Sequence, residues 1–373
     1  MKILTLKPID TFFFKNHQVT ESGNDTEMEG LFPPRPNTIY GALRSAYIHE
    51  HSRFSDFMEQ KDEVVKRWMG TPNEHGDFHI SFCGLKHNGS LLLPVPADYQ
   101  VVEESGVVVA RPLQLRKDSH PSSHPTEWRL FATTQAKSKG ISDKYVAAEH
   151  WRKAVFNRQP MTELLTPADF LAGEAKAGIA LDYRARTTRE HYLYRMVKWR
   201  FKGEGAFVVY TPSAPDFSSI KFARLGGENR PWIVEQSEEK FSFWTDAEVG
   251  KLAETIRRTR IAKIILLSPA IWSQGSRPGS YDGKDLMIGG KLKVRLLTAA
   301  IGRPSWYGGW DIVYGRPKPR RPMVPAGSVL YIEVAKEQID DVIALANGFQ
   351  LTDVGEKEGF GFAVIAGAEK EEE

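Results

Sequence analysis

The chain has 373 residues, 41% hydrophobic and 26% charged, a balance that excludes a disordered polymer and leaves room for two ordinary domains. Its formal net charge is only +3, and no apolar run nears the roughly 20 residues of a membrane span. The opening MKILTLKPID lacks a signal-peptide core, and the single cysteine, Cys83, excludes an internal disulfide framework, so a reducing cytoplasm is expected.

Met1–Leu6 alternates weakly and reads as a first strand, and Phe12–Phe14 reads as core. Asn16 to Gly30 is polar and reads as a surface loop. Pro33, Pro34 and Pro36 then hold an extended lead-in, because each proline fixes φ and biases its predecessor away from helix. Asn37 is the expected N-cap of a helix whose apolar stripe is Ile39, Leu43, Ala46 and Tyr47. Its other face carries Tyr40, Gly41, Arg44 and Ser45. A helix-interior glycine costs roughly 1 kcal/mol against alanine, so Gly41 implies close approach of a backbone or a ligand. Arg35 before the N-terminus and Arg44 one turn on make a candidate phosphate site, set against a helix simply packed on a sheet. A second helix is expected from about Ser55 to Met69, stopped by Gly70-Thr71-Pro72. Asp77–Cys83 alternates, Asn88-Gly89 is a hairpin signal, and Leu91–Leu93 returns. Strand, helix and hairpin make a ferredoxin-like opening.

From Tyr99 to about Ala180 scattered prolines predict an insertion with short elements of its own. Asp182–Tyr210 reads as a long hairpin turning at Gly203–Gly205. The second half restarts near Phe217. Thr245–Glu248 is a capping box opening a helix with Val249, Leu252, Ala253 and Ile256 inward. Strands follow at Ile264–Leu267, Leu292–Leu297 and Val329–Val334, then a helix over Glu337–Ala346 capped by Gly348, and a last strand at Phe360–Ile365. The fold class expected is α+β, with two ferredoxin-like domains over 1–212 and 213–368, an insertion at about 100–180, and a disordered acidic tail at 369–373.

Charge is clustered rather than large. Seven basic residues stand against one acidic between Arg184 and Lys202, and five against one between Arg303 and Arg321. Arg184, Arg186 and Arg189 lie among hydroxyls and suit phosphates, with His191, Tyr192 and Tyr194 as stacking surfaces; a solvated hairpin is the bland alternative. Arg303 and Trp306 read equally as a base-stacking loop or a rigid loop packed on Trp272. The extended basic arm Arg316–Arg321 reads as a solvated linker or a phosphate contact. Gly355, Gly359 and Gly361, with Lys357 for charge, form a loop whose N–H groups suit a phosphate, or an ordinary flexible turn. The histidines have no zinc spacing with cysteine, and no P-loop or GxSxG is present.

Pro8–Phe14, Glu21-Ser22-Gly23, FPPRPNTIYGALRSAY, Leu225–Glu228, Gly308–Asp311, Pro325–Val329 and Gly355–Gly361 occur in a set order. This series resembles the RAMP superfamily of CRISPR proteins, and within it the third-subunit family of type III-B (Cmr) effector complexes, from residue 1 to about 366. The resemblance implies ferredoxin-like, RRM-like folds and a non-catalytic subunit without cofactor or metal. It implies that the chain holds the repeat-derived five-prime handle of the crRNA and docks a large polymerase-palm subunit beside the backbone RAMP subunits. It also favours RNA contact at Arg35, Asn37, Tyr40, Gly41 and Arg44 and at the glycine loop. Two alternatives stand beside it: a metal-independent guide-RNA-processing nuclease using His49 or His51 as general acid or base, and a protein-only scaffold.

Overall fold

The computed structural model describes residues 1–16, 27–28, 30–118, 126–181, 188–239, 241–311 and 315–370, with the side chains at 27, 179–181, 188–194 and 310–311 left aside. It is a mixed helix and strand protein. Seven antiparallel strands form one sheet in the order Phe222–Arg224, Pro231–Glu238, Lys2–Pro8, Gly205–Thr211, Phe82–His87, Ser90–Pro94 and Tyr145–Ala147. Leu4 pairs with Val209 and with Gln236. Leu4, Leu6, Phe207, Val209, Trp232 and Val234 are buried, as period-two alternation requires of a sheet with one face on the core. The helix Pro36–His51 shares their cluster through Ile39, Leu43 and Tyr47. Each such side chain contributes about 1.5–3 kcal/mol by burial. Phe12, Phe13 and Phe14 are core residues, as their run predicted.

The second sheet runs Asp285–Ile288, Leu292–Ala300, Val329–Glu333, Ile261–Leu266, Phe362–Gly367 and Phe349–Gln350. All six residues of Ile261–Leu266 are buried, because the strand is covered on both faces. On one face Lys263 meets Asp98 of the insertion. On the other, Gly367 opposite Ala262 packs on Thr255 of the helix Asp246–Thr259. That helix starts with the expected capping box between Thr245 and Glu248. Much of the insertion therefore belongs to this core: Tyr99, Val101, Ala110, Leu115 and Trp151 join Ile264, Leu330 and Val364 in one cluster.

Several expectations change. The helix expected over 55–69 is two, Phe54–Met58 and Glu63–Met69, the second capped by the Asp62 carboxylate, which accepts from the Val64 and Val65 N–H groups at 3.0 Å. Capping competes with continuing the helix, and Val64, beside the cap, is exposed. The 14-residue strand Thr188–Phe201 pairs not with the segment after Gly203 but with Leu171–Leu181, and Glu27–Met28 adds a third strand in parallel. Gly205–Thr211 instead enters the first sheet. The first sheet also takes Pro231–Glu238, so the change of sheet falls after Glu238 rather than near 212. In the second unit one helix precedes the first strand, and the helix before the last strand is short, Ile339–Ala344. The acidic tail is tied down at its start, where Glu369 pairs with Arg258 and Arg158.

Candidate functional site

The opening helix starts two residues earlier than the capping pattern predicts. Pro36 occupies the first turn, Arg35 stands at the N-cap without a capping side chain, and Asn37 lies inside. Proline suits that position because its fixed φ is helical and its missing N–H would have no partner there. Asn37 Nδ2 donates to the Tyr307 hydroxyl at 3.4 Å. The Arg35 guanidinium is buried and donates to the main-chain carbonyls of Gly308, at 3.0 Å, and Trp306. Burial lowers its pKa, with Tyr307 opposing. Arg35 therefore holds the 306–308 loop against the helix start instead of facing solvent.

Two further residues from the expected polar face are occupied by the protein. The Tyr40 ring stacks on Phe78 at 5.2 Å and meets His75 edge-on at 5.3 Å, and burial pushes its hydroxyl up to about 12. Arg44 donates from Nε to the Met69 carbonyl at 2.8 Å and from Nη2 to Thr71, closing the C-terminus of the helix Glu63–Met69. Neither ring nor guanidinium is presented to a ligand. Gly41 differs: it is exposed, and a Cβ there would have no atom within 4 Å.

Gly41 opens into a cleft of about 1180 Å³, walled by the helix, the Phe14–Asn16 segment, residues 219–229 and the Gly308-Gly309 pair. Lys15, Arg35, Lys221 and Arg224 line it against one carboxylate, Glu50, so the potential inside is positive. Three parts of the family-like series, the opening helix, Leu225–Glu228 and Gly308–Asp311, thus meet at one place. Arg303 and Trp306 lie on the loop that continues into the Gly308-Gly309 wall, both exposed, Trp306 by 54%. Buried Tyr307, not Trp306, holds that loop, edge-on to Phe360 at 5.5 Å. The sequence reading missed Lys221 and Arg224. Two isolated cations carry no motif, and only the edge position of Phe222–Arg224 brings them to the cleft.

The glycine loop lies elsewhere. The Gly359 Cβ position is 3.0 Å from Ile80 and 3.5 Å from Pro36, and that of Gly361 is 2.6 Å from Thr352. The Ile80 N–H donates to the Lys357 carbonyl at 2.9 Å, Lys357 Nζ donates to the Gly76 carbonyl at 2.8 Å, and His75 meets Glu358 at 3.2 Å. Gly355, Gly359 and Gly361 have φ of 77°, 93° and 72°. This loop is the joint between the two sheets, its glycines facing protein rather than open space.

Glu228 gathers Lys176, Lys198 and Arg230, and Arg230 continues to Asp10 at 2.7 Å. Hydrogen bonds from Lys176 first, then Lys198 and Arg230, hold its carboxyl down at about 2. The cluster ties the long hairpin to the turn beside the cleft. Arg184 and Arg186 lie outside the described residues, and Arg189 is placed only as part of the strand Thr188–Phe201. Among the described residues no three His, Cys, Asp or Glu side chains gather as a metal site, and no helix is long and apolar enough to cross a membrane.

The fold and cleft define a mixed α/β protein of two large antiparallel sheets joined by a glycine loop, with a cation-lined groove apart from that joint. The family described as "CRISPR-associated protein (Cas_Cmr3)" matches residues 4–368, and the chain belongs to it. It is 22% identical over 246 residues to "CRISPR system CMR subunit Cmr3" of Saccharolobus solfataricus, a match that covers 64% of this chain and 65% of that relative. Among solved structures, a chain of a type III-B Cmr-beta complex bound to cognate target RNA aligns over 89% of this chain and 86% of its own, with 15% identity and a TM-score of 0.49. A chain of a type III-A Csm3-Csm4 subcomplex aligns over 91% and 96%, with 13% identity and a TM-score of 0.37.

Proposed function

We propose that this chain is a non-catalytic RNA-binding subunit of a type III-B CRISPR (Cmr) ribonucleoprotein. It holds the single-stranded five-prime handle of the crRNA and docks the large polymerase-palm subunit beside the backbone RAMP subunits, in the cytoplasm. The observation that carries this is the cleft: Lys15, Lys221 and Arg224, with the buried Arg35 charge behind them, against one carboxylate, beside a helix whose Gly41 leaves its backbone open to a ligand. Phosphates bind such a wall by neutralisation and by contact with main-chain N–H groups. Membership of the Cas_Cmr3 family supports placing the chain in a CRISPR complex. The strand orders support a ferredoxin-like reading of both units, since each sheet holds four strands whose chain order across the sheet is fourth, first, third, second.

The test is co-expression with the other subunits, purification, and sequencing of retained RNA, with affinity measured against salt. Each phosphate contact contributes about −0.7 to the log–log slope for a single strand. Retained repeat-derived RNA and a steep slope are expected; a slope near zero removes the reading. The processing-nuclease alternative keeps one supporting observation, that His49 lines the same cleft. Incubation with repeat RNA, with and without divalent metal, separates the two. Specific cleavage lost in His49→Ala selects the nuclease.

A further inference from the structure

The edge of the first sheet forms a wall of the cleft that no sequence motif marked. In the strand Phe222–Arg224, Ala223 turns into the core while its neighbours lie at the surface. Phe222 is 55% exposed, a large exposure for a phenylalanine, and it lines the cleft between Lys221 and Arg224. Neither cation has a salt bridge among the described residues. Gly41 and Ser45 of the opening helix and the Gly308-Gly309 pair line the same cleft. Polar Asn37, Thr38 and Ser45 and the smaller apolar Leu31, Ala42 and Ala46 complete that part of the lining.

We propose that Phe222, Lys221 and Arg224 form a nucleotide subsite that takes one unstacked base of single-stranded RNA, the ring of Phe222 against the base and the two cations on the flanking phosphates. The proposal rests on the RNA-binding reading above and assigns it a second wall. An aromatic face bracketed by cations is what single-strand binding uses, because every base has a π-face and every linkage a negative charge. A duplex is excluded from this arrangement, since a paired and stacked base presents no free face. Gly41, where a Cβ would meet no atom within 4 Å, and Gly308 and Gly309 in the same lining admit a sugar-phosphate backbone at close range. The charge balance of the lining, four cations to one carboxylate, favours a polyanion over a protein partner.

The test uses the full chain and a fluorescein-labelled random octamer of single-stranded RNA, followed by anisotropy at several salt concentrations. Phe222→Ala is expected to weaken binding about 5- to 150-fold, the range of one lost base stack, while Phe222→Trp binds as the parent does. The double variant Lys221→Gln/Arg224→Gln is expected to reduce the salt slope by about 1.4, two contacts' worth. Ile233→Ala, at the exposed residue paired with Phe222 and outside the cleft, is expected to change nothing. If the parent chain shows no salt-dependent binding, the RNA-binding reading fails and this subsite with it. If the parent binds, Trp306→Ala weakens it, and the Phe222 and double variants match the parent, the subsite alone is overturned. An unchanged RNA affinity in Phe222→Ala with loss of a co-purifying subunit makes the wall a protein joint and also overturns it. Thermal melts of each variant separate lost binding from lost folding.

Discussion

Arg44 shows how a residue's chemistry and its use diverge. A guanidinium one turn into a helix suits a phosphate, yet here it spans the carbonyls of Met69 and Thr71. Arg44→Ala is therefore expected to cost stability, about 1.5–3 kcal/mol for a charged hydrogen-bonding group, and to leave RNA affinity near the parent value. Arg44→Lys restores little, because a single ammonium cannot reproduce the planar fork. Melting temperature beside RNA binding at one salt concentration checks this, and an undiminished melt with weakened binding would falsify it. Glu228 carries a pH dependence of definite sign. Its folded pKa is about 2 against an ordinary 4.5, so its contribution is fully present above about 4.5 and drains away as pH falls towards 2. Stability measured down that range should drop less steeply in Glu228→Gln than in the parent. Parallel curves would mean the three cations give the carboxylate no linkage.

At the scale of elements, the glycines separate into two kinds. Gly361→Ala places a methyl 2.6 Å from Thr352 at a φ of 72°, and Gly359→Ala meets Ile80 at 3.0 Å at a φ of 93°. Both are expected to destabilise by roughly 1–3 kcal/mol through backbone strain, more with the clash, and to loosen the joint between the sheets. Gly41→Ala meets no atom and removes a helix-interior glycine, so it should stabilise by about 1 kcal/mol while weakening RNA binding at the cleft. Urea midpoints and RNA affinities for the three variants decide the matter. A Gly41→Ala chain that binds RNA as the parent does would remove the helix backbone from the site. Helix and hairpin positions were legible where one local device governs them, such as the Thr245–Glu248 box and the Asn88-Gly89 turn, whose φ values are both positive. Boundaries set by rival devices were not, as at the Asp62 cap.

At the scale of the molecule, the insertion joins the second sheet through a buried pair. Lys263 Nζ lies 2.7 Å from Asp98 Oδ2, the Tyr331 hydroxyl donates to the same oxygen at 2.8 Å, and both charged side chains are almost fully enclosed. Removing one partner strands the other charge in the core. Asp98→Ala and Lys263→Met are each expected to cost about 3–5 kcal/mol, and the double variant less than their sum. Additive losses in a double-mutant cycle would mean the two are not coupled.

What the sequence by itself determined was the alternation and helical spacing that make strands and helices, the apolar stripe of the opening helix, and the ordered series that points to the family. These depend on neighbours along the chain. The destination of each cation was decided by tertiary structure alone. Arg35 and Arg44 look alike in sequence to Lys221 and Arg224, yet the first two satisfy buried carbonyls and the second two reach the cleft unpaired among the described residues. The physical reason is that a buried main-chain carbonyl must find a donor, and a long cationic side chain within reach supplies it. Which carbonyls lie within reach depends on residues such as Gly308, 273 positions along the chain from Arg35, and no local pattern encodes that distance.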